Sequence, residues 1–297
     1  MRIDAHQHFW RLADRAGAWP PPQLAPIHRN VTPDQLLPHL QRHGIAATVL
    51  VQSLPSDADT QYLLVLAERH PFVAAVVGWV DLKAADAAHQ IGQLARHPKL
   101  RGLRPMLQDL APDDWIDDAA LAPAVAAMLA HGLTFDALVL ARHLPALLRF
   151  AERFPALPIC IDHGAKPPLA AGPWQPWADG LARLAALPQV CCKLSGLVTE
   201  AAPAWQVAQL QPYVQHVLAL FGAERVLWGS DWPVLELATD YDGWVDASTT
   251  LLAALTAPQR EQVLGLNAQR FYRIAAAPDE LRTTNYEWRR NLTTTRR

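Results

Sequence analysis

Three observations predict that this chain adopts an α/β fold, a single-domain (β/α)8 barrel of the TIM type. Eight strand-like segments recur along its 297 residues, and a helical segment follows each of them. Most of the strand-like segments are continuously apolar, as expected of parallel strands that are covered on both faces. No linker of domain size interrupts the alternation, and no glycine-rich phosphate loop follows the first strand, which disfavours a doubly wound open sheet.

The predicted strands are short apolar runs that end in polar residues. They span residues 3–8, 47–53, 73–82, 100–107, 133–138, 158–163, 190–195 and 225–231. The first helix has clear signals at both ends: Thr32 as cap, Pro33 at the first helical position, Asp34 in the first turn and Gly44 after the last. The other predicted helices span residues 59–70, 84–97, 118–131, 143–154, 176–187, 204–221 and 241–255.

A further helix is predicted at 258–272, and the segment 278–297 is polar with a basic end. We therefore expect a barrel domain at residues 1–275 and a C-terminal extension at residues 276–297 that is not a second domain. Trp288 in the extension could contact another subunit, so the sequence leaves a homo-oligomer open.

Composition and charge exclude several classes of function. The net charge of −2 argues against nucleic-acid binding, because phosphates require a basic face. No apolar run approaches the length of a membrane span, and the chain opens on a strand without the apolar core of a signal peptide, so we expect a cytoplasmic protein. Cys160, Cys191 and Cys192 lie in apolar, strand-like runs and are expected to be buried free thiols.

The first strand carries Asp4, His6 and His8. Side chains alternate along a strand with period two, so these three share one face if the segment is extended. Two imidazoles two residues apart can converge on one metal ion or on one substrate oxygen. A bare His-x-His pattern is weak evidence for a site. It becomes specific only if other strands end in residues that could bind the same ion or substrate.

Other predicted strands do end in polar residues. Gln52, Arg104, His163 and Asp231 close or follow strands two, four, six and eight. The carboxyl ends of parallel barrel strands meet at one mouth of the barrel, so we expect these residues to converge there. Burying such groups costs free energy, which argues that they serve a site.

The residue types suit hydrolysis. Asp231 could accept a proton from an attacking water and return it to the leaving oxygen. We expect His163 to act with Asp231 in catalysis. His6, His8, His163 and Asp231 could hold one divalent ion that polarises a carbonyl, and without a metal the imidazoles could stabilise an oxyanion as hydrogen-bond donors.

Substrate contacts are predicted from the same strand ends. Arg104 could orient a carbonyl or carboxylate, or it could only bridge strands, and Gln52 could contact hydroxyls. Four tryptophans lie where an indole face could reach a ligand, namely Trp10, Trp19, Trp174 and Trp232.

Three charged residues have two open interpretations. Lys166 and Lys193 either serve the chemistry or pair with Asp162 or Asp4. Asp136, a charge in an apolar strand, either contacts substrate or forms a structural ion pair.

Three motifs occur in order: DAHQHFW at 4–10, IDHGAKP at 161–167 and GSDWP at 229–233. Together they resemble the amidohydrolase superfamily, and more narrowly its amidohydrolase-2 group of sugar lactonases. The resemblance implies a (β/α)8 barrel, a catalytic Asp231, and metal or substrate roles for His6, His8 and His163. It implies as substrate a sugar-acid lactone of the L-fuconolactone or L-rhamnonolactone type.

The chain departs from the binuclear members of that superfamily. Arg101 and Arg104 stand at strand four, where a carbamylated lysine would bridge two metals. We therefore expect one divalent ion, such as zinc, or none. A lactone is an activated ester, so zinc is compatible with the reaction and not required for it.

Two other functions stay open. A metal-dependent decarboxylase or dicarboxylic lactone hydrolase of aromatic-compound breakdown would need several cations for carboxylates, for which Arg104, Arg142 and Lys166 are the candidates. A binding module on a degenerate barrel is disfavoured by the intact histidines and Asp231.

Overall fold

The computed structural model describes residues 1–15 and 17–275, so the predicted extension at 276–297, with Trp288, lies outside the described residues. Eight parallel strands form one sheet in chain order, which confirms the predicted (β/α)8 barrel. The strands β1 to β8 are Arg2–Gln7, Ile45–Val51, Val73–Gly78, Leu100–Leu103, Thr134–Ala137, Ile159–Ile161, Val190–Leu194 and Val226–Trp228.

The segment after β8 closes the barrel against β1. The backbone N–H of Asp231 donates to the carbonyl of His6 at 2.8 Å, and the N–H of His8 donates to the carbonyl of Trp232 at 2.8 Å. The first and last strands of the chain therefore meet where the predicted site residues lie.

Helices surround the sheet. The helices α1 to α8 are Pro33–His43, Asp57–Arg69, Ala87–Leu94, Ala122–Ala130, Leu144–Arg153, Trp174–Ala185, Val207–Phe221 and Tyr241–Leu251. Helix α1 has the predicted ends, with Gly44 in the left-handed conformation at φ 63°. Helix α4 begins later than predicted because a 3-10 turn, Ala119–Leu121, precedes it.

Strands β3 and β4 are shorter than the apolar runs that predicted them. Val80, Leu82 and Leu107 lie beyond the strand ends and are buried all the same. An apolar run shows that a segment is buried, but burial in a loop produces the same run.

The predicted helix at 258–272 is broken into three parts. They are α9 (Ala257–Glu261), a π-helical turn (Gln262–Leu266) and α10 (Asn267–Phe271). A Cβ on Gly265 would lie 2.0 Å from the carbonyl oxygen of Met1, so the break brings backbone against backbone at the start of β1. The Asn267 amide then donates to the carbonyls of Ala223, before β8, and Val226, its first residue, at 2.7 Å each.

Two clusters of buried apolar residues form the core. A small cluster inside the strands contains Ile3, Val49, Val77 and Leu227, and Tyr272 joins it from beyond α10. A larger cluster lies between the strands and the helices. Cys160 and Cys192 are buried and Cys191 is half-buried, and all three are free thiols. Among the described residues, no helix is both long enough and apolar enough to cross a membrane.

Candidate active site

A cavity of about 550 Å³ opens at the carboxyl ends of the strands. Its wall includes His8, Arg104, His163 and Asp231, which follow β1, β4, β6 and β8. His6 lies next to them on β1 and is fully buried. The fold brings these five residues to the mouth of the barrel where enzymes of this architecture place their active sites.

The two histidines of the first motif lie against Asp231. His6 Nε2 and His8 Nε2 are 3.2 Å apart, and Asp231 Oδ1 is 3.7 Å from the former and 3.2 Å from the latter. His8 Nδ1 lies 2.8 Å from the carbonyl oxygen of Val51, which can only accept, so Nδ1 carries a proton. His8 Nε2 is therefore the ring nitrogen that faces His6 and the Asp231 carboxylate.

Asp231 has a left-handed backbone, with φ 60°. Aspartate is among the few residues other than glycine that adopt this conformation. Burial alone would raise the pKa of Asp231, but its contacts with the His163, His8 and His6 imidazoles outweigh burial and hold the pKa well below its usual range. Asp231 is therefore ionised at neutral pH.

His163 begins a run of four left-handed residues after β6. The φ angles are 53° at His163, 59° at Gly164, 60° at Ala165 and 49° at Lys166. Such conformations persist only where the surroundings enforce them, and they cluster at functional sites. His163 Nδ1 lies 2.9 Å from Ser195 Oγ. Burial lowers the pKa of His163 to about 4 although nearby carboxylates oppose it, so the imidazole is neutral at physiological pH.

Gly196, which follows β7, leaves space for the side chains of His163 and Asp231. A Cβ at this position would lie 2.5 Å from His163 Nδ1 and 3.1 Å from Asp231 Oδ2, and the backbone φ is 61°. Both the close approach and the left-handed backbone therefore require glycine here.

A buried ionic cluster lies behind His6. Lys193 Nζ donates to Asp136 Oδ2 at 2.6 Å, and it lies 2.9 Å from Asp162 Oδ1 and 3.1 Å from His6 Nδ1. The Tyr272 hydroxyl donates to the same Asp136 oxygen at 2.7 Å. Burial would lower the pKa of Lys193, but the two carboxylates outweigh burial and raise it. The structure therefore favours the ion-pair interpretation of both Lys193 and Asp136. Lys193 pairs with Asp162 and with Asp136, away from the cavity wall.

The site fits one divalent metal ion. His6, His163 and Asp231 each offer a ligand atom, and the three atoms lie within 4.8 Å of one another. Two imidazole nitrogens and one carboxylate oxygen form a donor set typical of zinc. Metal-bound histidines donate their other ring N–H to a neighbouring acceptor, and Asp162 Oδ1, which also pairs with Lys193, lies 3.5 Å from His6 Nδ1.

The same residues also support a metal-free arrangement. The Lys193 ammonium can only donate, so when His6 Nδ1 accepts from it, the ring proton lies on Nε2, next to His8. In that tautomer His6 has no lone pair at Nε2 for a metal and acts as a hydrogen-bond donor. Asp162 favours the metal-binding tautomer of His6, and Lys193 favours the other one.

Arg104 both lines the cavity and bridges strands. Its Nη1 donates to Asp162 Oδ2 at 3.2 Å, and its Nη2 donates to the carbonyl of Gln52. The Gln52 amide donates back to the carbonyl of Arg104 at 2.7 Å. Gln52 is fully buried and does not line the cavity. Its hydrogen bond to the Arg104 carbonyl instead fixes the backbone of the segment after β4.

Of the four tryptophans named from the sequence, Trp19 lines the cavity. Trp10 and Trp232 are buried outside its wall, and their indole N–H groups donate at 2.8 Å to a backbone carbonyl and to Glu236 Oε1 respectively. Trp174 begins α6 and also lies outside the wall. The structure thus does not bring the predicted pair, Trp10 and Trp232, to the cavity.

Asp4 organises the segment that precedes Asp231. Its carboxylate accepts from the backbone N–H of Ser230 at 2.8 Å, from the Ser230 hydroxyl at 2.6 Å and from the Tyr241 hydroxyl at 2.9 Å. Burial raises the pKa of Asp4 to about 6, although these donors oppose it. Asp4 therefore holds β8 against β1 from beneath the site.

Sequence reasoning missed several residues of the site. Thr199 and Glu200 line the cavity from the loop after β7, and nothing in their local pattern marks them. Ser195 carries a recognisable signal, because it is a polar residue at the end of an apolar strand. Tyr272 reaches Asp136 only through the fold of the chain's C-terminal helices.

Comparison with known proteins agrees with this geometry. The sequence profile of the amidohydrolase family matches residues 3–274. An L-fucono-1,5-lactonase of Burkholderia ambifaria is 56% identical over 278 residues, which cover 92% of this chain and 96% of that protein. An L-fucono-1,5-lactonase of Burkholderia multivorans is 36% identical over 297 residues, with 94% and 98% covered.

A solved structure supports the same relationship. The crystal structure of an amidohydrolase from Burkholderia multivorans with bound zinc matches with a TM-score of 0.87 and 37% identity. The match covers 93% of this chain and all of that one. Profile, relatives and structure all span nearly the whole barrel, and this chain belongs to the amidohydrolase family.

Proposed function

We propose that this protein hydrolyses a sugar-acid lactone of the L-fucono-1,5-lactone type. The observation that carries the proposal is the ionised Asp231 in the cavity wall, 3.2 Å from His8 Nε2 and grouped with His6 and His163. Relatives that are 56% and 36% identical carry the name L-fucono-1,5-lactonase, which supports the substrate class.

In the proposed reaction, water attacks the lactone carbonyl while Asp231 accepts one of its protons. The tetrahedral intermediate then expels the ring oxygen, which takes that proton from Asp231, and the product is the open hydroxy acid. A carboxylate with a lowered pKa is a weak base. Much of its contribution therefore comes from holding the water against the carbonyl, which the fixed backbone of Asp231 favours.

Two groups in the wall can stabilise the developing oxyanion. When the Ser195 hydroxyl donates to His163 Nδ1, the ring proton of His163 lies on Nε2 and is free to donate. Arg104 adds a positive charge held in place by Asp162. Donors fixed before the reaction lower the barrier because they need not reorganise during it.

A divalent ion held by His6, His163 and Asp231 would polarise the lactone carbonyl as a Lewis acid. We propose that hydrolysis does not depend on it, because His163 and Arg104 line the cavity and can donate hydrogen bonds without a metal. The chain's own histidines and Arg104 then take up the negative charge.

The charges of the wall disfavour the dicarboxylic alternative. Among the described residues of the wall, the arginine and the lysine are each already paired: Arg104 with Asp162 at 3.2 Å, and Lys166 with Glu200 at 3.3 Å. A substrate with additional carboxylates would meet no unpaired lysine or arginine among the described residues of the wall. A neutral lactone meets no such difficulty.

A pH-indicator assay on a panel of lactones tests the proposal. We expect the wild-type protein to hydrolyse neutral aldono-1,5-lactones far above the spontaneous rate, with little activity on dicarboxylic lactones. We expect the activity to persist after treatment with a chelator. Turnover confined to dicarboxylic lactones, or no turnover at all, would refute the proposal.

A further inference from the structure

Lys166 and Glu200 form an ion pair within the cavity wall, with 3.3 Å between Nζ and Oε1. Their side chains are 22% and 25% exposed, so the pair is accessible from the cavity. Ion pairs that retain solvent contact contribute little to stability. Stabilisation of the fold therefore gives a poor reason for placing two charges here.

The position of Lys166 is fixed relative to the catalytic residues. It ends the left-handed run that begins at His163, and its backbone N–H donates to the His163 carbonyl at 2.9 Å. The Trp177 indole donates to the carbonyl of Gly164 at 2.7 Å and anchors the middle of the run. One strained turn thus presents both the catalytic imidazole and a lysine to the same cavity.

Glu200 is fixed from the neighbouring strand. It ends the 3-10 turn Val198–Glu200 after β7, and the Thr199 hydroxyl donates to the carbonyl of Gly196 at 2.9 Å. Gly196 is the residue that makes room for His163 and Asp231. The loops after β6 and β7 therefore place the ion pair at a defined position beside the catalytic groups.

The opposite wall of the cavity is mostly apolar, with Ser53 as a polar member. Trp19 and Leu24 come from the loop after β1, and Leu54 and Pro55 come from the loop after β2. In the closed order of strands, β2 lies across the barrel from β6. A ligand in the cavity therefore meets hydrogen-bonding groups on one side and mostly apolar groups on the other.

The chemistry of the pair matches neighbouring hydroxyl groups. An ammonium only donates, a carboxylate only accepts, and a hydroxyl does both. Two adjacent ring hydroxyls can bind with one accepting from Lys166 and the other donating to Glu200, without leaving either charge unpaired. A carboxylate on the substrate could pair with Lys166 only by displacing Glu200, which would leave the Glu200 carboxylate without its cation next to a second negative charge.

We propose that Lys166 and Glu200 determine the specificity of this site, binding adjacent ring hydroxyls of a neutral lactone and rejecting lactones that carry a carboxylate. The inference rests on the proposed lactonase activity. Neither residue takes part in bond breaking, so replacing either one should change which lactones are hydrolysed efficiently.

Steady-state kinetics of Lys166→Met and Glu200→Gln test the hydroxyl contacts. The substrates are a polyhydroxylated aldono-1,5-lactone and its monodeoxy analogues. We expect each variant to lose about tenfold or more in kcat/KM on the parent lactone, mainly through KM, as for a lost hydrogen bond to a charged group. The same variant should lose almost nothing further on the analogue that lacks the hydroxyl it binds.

An aldarolactone, which carries a carboxylate on the same kind of ring, tests whether the pair rejects charged substrates. Glu200→Gln should raise kcat/KM severalfold on this substrate while lowering it on the neutral one, a reversal that a structural defect cannot produce. The control is Lys83→Met. Lys83 Nζ lies 2.8 Å from Asp118 Oδ2, and this ion pair is outside the cavity wall, so its loss should leave kcat/KM on both substrates unchanged.

Unchanged kinetics on the parent lactone, or equal losses on parent and every deoxy analogue, would overturn the specificity role. So would a Glu200→Gln variant without any gain on the aldarolactone. A wild-type protein that hydrolyses no lactone would be a different result, because it would refute the proposed activity on which the inference rests.

Discussion

Two lysines at this site form ion pairs with carboxylates, and they differ in burial. Lys193 is completely buried with Asp136 and Asp162, behind His6. Lys166 and Glu200 lie in the cavity wall and are about a quarter exposed. The same two types of charged group therefore occupy a sealed environment in one place and an accessible one in the other.

The comparison shows that burial decides what a charged pair does. A substrate cannot reach Lys193 and its carboxylates, the inner pair, so their contacts act on neighbouring residues, and Lys193 and Asp162 favour opposite tautomers of His6. The outer pair can exchange its partner for a ligand at small cost, because solvent already competes with it. We therefore expect changes at the inner pair to affect stability and metal binding, and changes at the outer pair to affect substrate choice.

The largest expected effect is the loss of the inner lysine. Lys193→Met leaves Asp136 buried without its cation and Asp162 with Arg104 alone, and breaking a buried pair in this way costs about 3–5 kcal/mol. Denaturant unfolding of the variant and the wild type measures the difference in free energy. A loss below about 1 kcal/mol would show that the inner pair behaves like a surface pair.

Zinc binding gives the next effect. Asp162→Asn removes the negative charge that favours a proton on His6 Nδ1, so we expect zinc affinity to fall by about 10–100-fold, as for other residues that support a metal ligand. Competition with a chromophoric chelator measures the affinity without reference to activity. Unchanged or tighter zinc binding would contradict the role assigned to Asp162.

The smallest effect is expected at the outer pair. Lys166→Met and Glu200→Gln should each change the free energy of unfolding by less than about 1 kcal/mol, since exposed pairs rarely contribute more. Lys83→Met serves as the matched control because Lys83 is 26% exposed and pairs with Asp118. If either outer variant were destabilised as strongly as Lys193→Met, the contrast between the two pairs would be lost.

The fold and the centre of the site follow from local patterns. Apolar runs marked the strands, and parallel strands of a barrel must end at one mouth, so His6, His8, His163 and Asp231 could be grouped without any knowledge of distances. The backbone hydrogen bonds of the sheet fix where each strand ends, so the positions of these side chains follow from the order of the strands.

The remainder of the site depends on the paths of loops. Trp10 and Trp19 precede the same helix, yet only Trp19 reaches the cavity, because Trp10 packs into the core beneath the loop. Glu200 belongs to a turn whose direction no periodicity encodes. Tyr272 meets Asp136 across 136 residues of sequence, which only the assembled barrel reveals.

The central claim is that Asp231 handles the proton during lactone hydrolysis, and Asp231→Asn tests it most directly. Asparagine keeps the size of the side chain and tolerates the same left-handed backbone, so the fold should be preserved. Steady-state hydrolysis of an aldono-1,5-lactone should show kcat reduced by about 10²–10⁴-fold, the range attributed to general acid–base catalysis. A folded variant with kcat within a few-fold of the wild type would contradict the account.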